Sequence, residues 1–216
     1  RLVERLYQGL GWKLSDVTVD LDFYDPLPDF ETRNLQTGPM VVLEYDRRDN
    51  VYSATRGWYV EGSAAFLYDA FGSDVNYTDL DLAVNGYLSI TDPKFVLAGR
   101  VFWNQAVGDV PFWAQPAFGQ GNDLRGYAYG EYRGDLVLAS QLEFRWNFIW
   151  RFGLVVFGGL GTATNSWSDL GSAPALPSYG GGLRFNLYPK ERIMLAIDYA
   201  RGRNDGFFYF GVNEAF

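Results

Sequence analysis

Residues 134–148 read GDLVLASQLEFRWNF, and the side chains in this stretch alternate between apolar and polar. Gln141 and Glu143 fall on one side of an extended chain, and Leu142 and Phe144 fall on the other. Successive side chains of a strand point to opposite faces, so a period of two predicts a β-strand. The same alternation recurs along the chain and predicts ten strands, near residues 14–24, 40–49, 55–68, 74–90, 95–107, 134–148, 151–164, 176–188, 192–203 and 206–216.

The composition agrees with an all-β protein. The 216 residues are 48% hydrophobic and 18% aromatic, and they include 25 glycines and 9 prolines, which leave little room for long helices. The aromatic content excludes intrinsic disorder. The length suits one domain, which we expect to span residues 1–216.

The alternation by itself fits a soluble β-sandwich as well as a membrane barrel. Three features favour the barrel. The segments at 74–90 and 134–148 exceed the usual strand length, tight turns at 91–93 and 188–191 alternate with long loops, and aromatic residues lie near strand ends. We therefore predict a transmembrane antiparallel up-and-down β-barrel, whose longest loop is residues 108–133.

The number of strands depends on residues 1–13 and 29–37. A single-chain bacterial barrel has an even number of strands, so these residues contribute either two further strands or none. We expect about twelve strands, with ten as the alternative. A weaker alternative is an amphipathic helix on the membrane surface at Arg1–Leu10.

Several functions are excluded by what the sequence lacks. The chain has no histidine and no cysteine, which removes disulfides, thiol chemistry, the usual zinc sites and imidazole bases. We accordingly expect no catalytic residue, no metal, no cofactor and no enzymatic activity. The net charge of −8, without any basic run, argues against a nucleic-acid partner.

Residues 118–127, FGQGNDLRGY, resemble the signature loop of the BamA/TamA superfamily, also called the bacterial surface antigen family. The hallmark of that loop is an apolar residue, then Arg-Gly, then Phe or Tyr. The stretches YDRRDN at 45–50, ATRGW at 54–58 and LAIDYARG at 195–202 are similar to the same family. The hallmark corresponds here to Leu124, Arg125, Gly126 and Tyr127.

The resemblance implies that loop 108–133 folds into the barrel lumen and docks by its tip. A guanidinium in a lumen needs a carboxylate to offset its desolvation, and Glu143 and Asp198 on polar strand faces are the candidate partners of Arg125. The alternative, from spacing alone, is a solvated arginine on an exposed loop. Where relatives often carry an acidic residue, this sequence has FGGLG at 157–161. The glycines expected to permit close backbone approach are Gly119, Gly121 and Gly126.

The resemblance also implies a function at the outer membrane of a Gram-negative bacterium. The resemblance implies that the chain aids insertion or translocation of proteins, or movement of lipid, through a seam between the first and last strands. The closing strand of this chain contains Gly206 and Gly211. It ends on Phe216, which would be a carboxyl-terminal signal. Members usually have sixteen strands and POTRA repeats, so this chain resembles a short member without them. The implied partners are outer-membrane lipids, unfolded outer-membrane proteins and a second copy of the chain.

Two other functions stay open. The barrel could anchor or dimerise an upstream passenger domain, such as a patatin-type lipase. It could instead be a small passive channel, for which an acidic lumen face at Asp74, Asp79 and Asp81 is the support.

Overall fold

The computed structural model describes residues 5–21, 30–91, 94–119 and 123–216, and it is built almost entirely of antiparallel strands. Each strand pairs with the next one along the chain, so the topology is up-and-down. The strands are β1 (Leu6–Leu21), β2 (Phe30–Asp46), β3 (Gly57–Leu67), β4 (Asn76–Thr91), β5 (Phe95–Asp109), β6 (Leu136–Ile149), β7 (Phe152–Thr164), β8 (Leu176–Tyr188), β9 (Ile193–Arg201) and β10 (Gly206–Val212).

The ten strands form one sheet in the order β1 to β10. Within the described residues, β1 and β10 each pair with a single neighbour, so the sheet has two edges. The predicted all-β, up-and-down architecture is therefore confirmed. The count of twelve strands and the closure into a barrel are not, and the ten strands agree with the alternative count.

The additional residues lengthen predicted strands instead of adding new ones. β1 begins at Leu6 and β2 begins at Phe30, and their backbones pair from Leu6 opposite Tyr45 to Leu21 opposite Phe30. The first part of this hairpin is rich in polar residues and glycine, and in β1 the exposed Leu10, Trp12 and Leu14 alternate with Gly11 and Lys13.

The amphipathic helix considered for Arg1–Leu10 is not found where the structure describes that segment, because β1 already begins at Leu6; residues 1–4 lie outside the described part. The described helices are three short 3-10 turns. None has the length and apolar character needed to cross a membrane. They lie at Asp69–Phe71, Phe112–Ala114 and Trp167–Asp169.

The two faces of the sheet are the reverse of those in a water-soluble protein. Gln141 and Glu143 of β6 are almost completely buried, whereas Leu142 between them is 62% exposed. On β9, Asp198 is buried and Ile197 is half exposed. Burial of polar groups beside exposure of large apolar ones is expected when hydrocarbon covers the outside. We call the face of Glu143 and Asp198 the inner face, and the opposite one the outer face.

The sheet curves until distant turns meet. Arg192, in the turn after β8, donates to the Asp49 carboxylate, in the turn after β2, with an Nη1–Oδ2 distance of 2.6 Å. Asn50 donates its side-chain amide to the Glu191 carbonyl at 3.1 Å. These turns belong to strands six positions apart in the sheet. The inner face is therefore concave.

We expect acid to weaken this link between the two turns. Partial burial opposes the charge on Asp49, but the N–H groups of Thr55 and Arg56 and the Arg192 guanidinium outweigh it and lower the pKa of this carboxyl to about 2. Because the folded pKa lies below the ordinary 3.8, the carboxylate stabilises the fold above about pH 4, and this contribution is lost as the pH falls toward 2. The measurement is the urea midpoint of unfolding for the wild type and for Asp49→Asn at a series of pH values.

The difference in urea midpoint between these two proteins should be largest at neutral pH and should vanish near pH 2. Asp169→Asn, in a turn after β7 on the other end of the sheet, is the control variant. A difference that stays constant across this pH range would contradict the assignment.

Candidate functional site: a docked loop and its buried ion cluster

The long loop between β5 and β6 packs against the inner face. Phe118 and Leu124 are completely buried, in a core that includes Val137 of β6 and Leu176 of β8. The Tyr127 ring meets the Phe118 ring edge-on, with centroids 5.6 Å apart, and the Tyr127 hydroxyl donates to the Pro177 carbonyl at 2.6 Å. Apolar burial and these ring contacts hold the loop in place.

Glycines on the loop and on the wall make the close approach possible. Gly126 has a φ of +99°, and a Cβ there would lie 2.7 Å from main-chain atoms of Arg201 and Gly202. On β7, a Cβ on Gly161 would lie 2.6 Å from the Leu124 side chain. The glycines that follow Phe157 therefore leave the space that Leu124 fills.

Arg125 is the centre of the site and is 1% exposed. Its Nη2 lies 2.6 Å from Glu143 Oε2, and its Nη1 lies 2.7 Å from Asp198 Oδ2. Its Nε donates to the Gln141 side-chain oxygen at 3.2 Å, and its carbonyl accepts the Ser178 hydroxyl. The alternative of a solvated loop arginine is excluded by this burial.

Phe157 provides an additional contact where the sequence lacks an acidic residue. The Arg125 guanidinium carbon lies 3.4 Å from the centroid of the Phe157 ring, and Phe157 is the register partner of Glu143. A cation stacked on an aromatic face is attracted by the ring quadrupole, most strongly away from water. The aromatic ring thus covers one face of the Arg125 guanidinium.

The ion pairs of Arg125 belong to a larger buried cluster. Glu143 also accepts from Arg145 Nε at 2.6 Å, and Asp198 also pairs with Arg184. Arg184 Nε in turn donates to Glu214 at 2.6 Å. Three guanidiniums face three carboxylates, so every buried charge has an opposite one and removing a single member leaves its partners uncompensated. The ion cluster consists of Arg125, Glu143, Arg145, Arg184, Asp198 and Glu214.

The cluster and the loop together hold the last strand. Tyr209 of β10 accepts the Gly126 N–H on its phenol oxygen at 2.8 Å. The strand ends at Val212, earlier than the predicted 216, because Asn213 adopts a φ of +76° and the chain turns onto the inner face. There the Phe216 main-chain oxygen accepts from Arg145 at 2.9 Å.

The other predicted residues have the following positions. Gly119 has a φ of +114°, and its ideal Cβ would lie 2.6 Å from the Ala128 carbonyl oxygen, whereas Gly121 lies outside the described residues. Gly206 lies against the Tyr199 ring, and Gly211 faces open space. The Phe216 side chain packs near Ala54, Tyr87 and Ala98 instead of extending β10.

The predicted acidic face is only partly formed, because Asp79 and Asp81 lie in β4 whereas Asp74 precedes that strand and is exposed. Asp79 pairs with Lys13 at 2.9 Å and accepts from Asn104, and Asp74 accepts the Leu35 N–H at 2.7 Å. These contacts are structural, and a role in ion selectivity stays a prediction.

Sequence reasoning overlooked several members of the site. Gln141, Arg145 and Arg184 stand at polar positions of alternating segments, but nothing in the sequence marks them as partners of the loop. Ser178, Tyr209 and Glu214 carried no signal in the sequence. In the part of the chain that the structure describes, no group of histidine, cysteine or acidic side chains could hold a metal ion. The arrangement serves to position backbone segments and offers no obvious reactive group.

Comparison with known proteins identifies the family. The model of the Omp85 superfamily domain matches residues 19–216. The chain belongs to the Omp85 superfamily. This confirms the resemblance to the BamA/TamA superfamily.

A solved structure shares the fold of this Omp85 chain. It is BamA from Haemophilus ducreyi lacking POTRA domains 1–3, with 18% sequence identity and a TM-score of 0.72. The match covers 98% of the Omp85 chain and 51% of the chain in the BamA structure, so this chain spans about half the length of that shortened BamA. No curated protein sequence matches the chain.

Proposed function

We propose that this chain acts in the Gram-negative outer membrane, where it aids insertion or translocation of proteins. Two observations together support the proposal. The long loop is docked on the inner face through Arg125. Strands β1 and β10 each have one sheet edge that is unpaired within the described residues. The docked loop gives the inner face a fixed structure, and the edges offer main-chain hydrogen-bonding groups. Outer-membrane lipids and unfolded outer-membrane proteins are the proposed partners.

The mechanism would be physical. An edge strand presents a row of N–H and C=O groups that can template an incoming strand by β-augmentation. β10 is the shorter edge, with seven residues against sixteen in β1, so full pairing of the two would leave part of β1 unpaired. Tyr209 and Glu214 anchor β10 through contacts on the inner face. The sheet edge of β10 that does not pair with β9 therefore stays available for an incoming strand.

The test is a folding assay in liposomes. An unfolded outer-membrane β-barrel protein is added to liposomes that contain the chain, and its folding is followed by its heat-modifiable gel mobility. We expect faster folding than in empty liposomes, and slower folding when Arg125→Met replaces the wild type. Rates equal to those of empty liposomes would contradict the proposal and favour an anchor for a passenger domain.

Planar-bilayer recordings separate the remaining alternative. The loop occupies the inner face, so we expect no steady conductance from wild-type protein. Steady open currents that Arg125→Met leaves unchanged would favour the passive channel.

A further inference from the structure

A basic cleft lies at the opposite end of the strands from the long β5–β6 loop. We call this the turn end, because the turns after β2, β4, β6 and β8 lie there. The cleft has a volume of ≈ 530 Å³. It is lined by four arginines, one acidic residue and one tryptophan, namely Arg5, Arg47, Arg48, Arg56, Asp49 and Trp58.

The carboxylates near this cleft are already engaged. Asp46 accepts from Arg48 Nη2 at 2.8 Å, and Asp49 accepts from Arg192 at 2.6 Å. Across the described ranges, neither Arg5 nor Arg47 forms a close ion pair, although the Arg5 charge also acts on Asp46. The cleft therefore carries a local positive charge in a chain whose net charge is −8. Attraction of an anion to this protein must come from such a local site.

Aromatic side chains connect the cleft to the outer face. Trp58 is 43% exposed, and its ring centroid lies 4.8 Å from that of Tyr45. Tyr45 shares the outer face of β2 with Leu43, which is half exposed. Tryptophan and tyrosine favour the layer between hydrocarbon and headgroups, since their rings are amphipathic. The arginines thus lie where the apolar outer band ends.

We propose that this cleft binds the phosphate of an anionic glycerophospholipid. Arg5 and Arg47 would hold the phosphate oxygens, because a guanidinium offers paired donors to a phosphate. The Trp58 and Tyr45 rings and Leu43 would contact the glycerol and the first part of an acyl chain. This inference depends on the proposed membrane placement but not on a role in protein insertion.

The binding test uses delipidated protein in a neutral detergent, titrated with phosphatidylglycerol and followed by native mass spectrometry. We expect one bound lipid per chain at low lipid concentration. An exposed ion pair contributes at most about 1 kcal/mol, so Arg5→Gln/Arg47→Gln should weaken binding by up to about thirtyfold and Arg47→Gln alone by up to about fivefold. The matched control is Arg201→Gln/Arg203→Gln, two exposed arginines near the opposite end of the strands.

Further measurements distinguish a lipid phosphate from free inorganic phosphate as the ligand. Phosphatidylcholine should bind more weakly than phosphatidylglycerol, and inorganic phosphate should not displace the lipid. The lysine variant Arg5→Lys/Arg47→Lys should keep most of the affinity, since the charge remains. Heat-modifiable gel mobility shows whether each variant is folded. If the double variant does not fold, the single variant Arg47→Gln, at an exposed position, still tests the proposal.

Equal lipid binding by wild type and the glutamine variants would overturn the proposal, as would an equal loss in the control variant. Displacement by inorganic phosphate would show an ion site instead of a lipid site. Because the assay measures binding in detergent, its failure is distinguishable from failure of the liposome folding assay.

Discussion

Replacing Arg125 with methionine should destabilise the folded protein by about 3–5 kcal/mol, because breaking a buried ion pair leaves its partner charge uncompensated. Arg125 is 1% exposed, and it is the residue that joins Glu143 of β6 to Asp198 of β9. Methionine replaces the apolar stem of arginine but removes every hydrogen-bond donor and the charge. The free energy of unfolding by urea in detergent micelles, followed by tryptophan fluorescence, measures the effect.

The control for this variant is Arg133→Met, which removes an exposed arginine from the same loop. Its effect should stay within about 0.5 kcal/mol, as for most surface substitutions. Glu143→Gln completes a double-mutant cycle with Arg125→Met, and the two changes should be strongly non-additive because the residues are in contact. An Arg125→Met protein as stable as wild type would contradict a buried loop arginine.

Gly126→Ala should displace the loop tip with a cost of about 1–3 kcal/mol or more. The residue has a φ of +99°, where an alanine is strained, and the added Cβ would meet the backbone at Arg201 and Gly202, which cannot rotate away. The Gly126 N–H would also lose its position opposite the Tyr209 hydroxyl. Limited proteolysis of the loop, together with urea unfolding, reports the displacement.

Gly171→Ala is the matched control, because its Cβ would meet nothing within 4 Å. This variant should resist proteolysis and urea as the wild type does. If Gly126→Ala were equally resistant, the loop tip would not be packed against the end of β9 in solution.

The sequence predicted the middle and end of the fold well. β8 covers residues 176–188, as its alternation predicted, and the bounds of β4 to β7 lie within about two residues of expectation. β4 and β6 separate polar from apolar side chains clearly, so the pattern of burial determines both their length and their register, whereas β7 is apolar or glycine on both faces over most of its length. The first parts of β1 and β2 were missed because they are rich in polar residues and glycine, which weakens the apolar pattern, although Gln36 and Thr37 of β2 are buried.

The site was only partly predictable. The polar faces of β6 and β9 indicated Glu143 and Asp198, and the resemblance placed Arg125 near them. The rest depends on where the loop and the segment after β10 come to lie, which no local pattern encodes. Glu214 reaches Arg184 only because the chain turns inward at Asn213, and the predicted strand to 216 overlooked that turn.

The central claim is that hydrocarbon covers the outer face while the inner face is filled by protein. The chain has no cysteine, so a single introduced cysteine gives one defined nitroxide label. Ile197 on the outer face and Ala196 on the inner face are neighbours on β9. In liposomes, the label at 197 should be accessible to oxygen dissolved in the bilayer, and the label at 196 should be shielded from it. If the label at 197 were instead accessible to a water-soluble nickel chelate and not to oxygen in the bilayer, the outer face would not be covered by hydrocarbon.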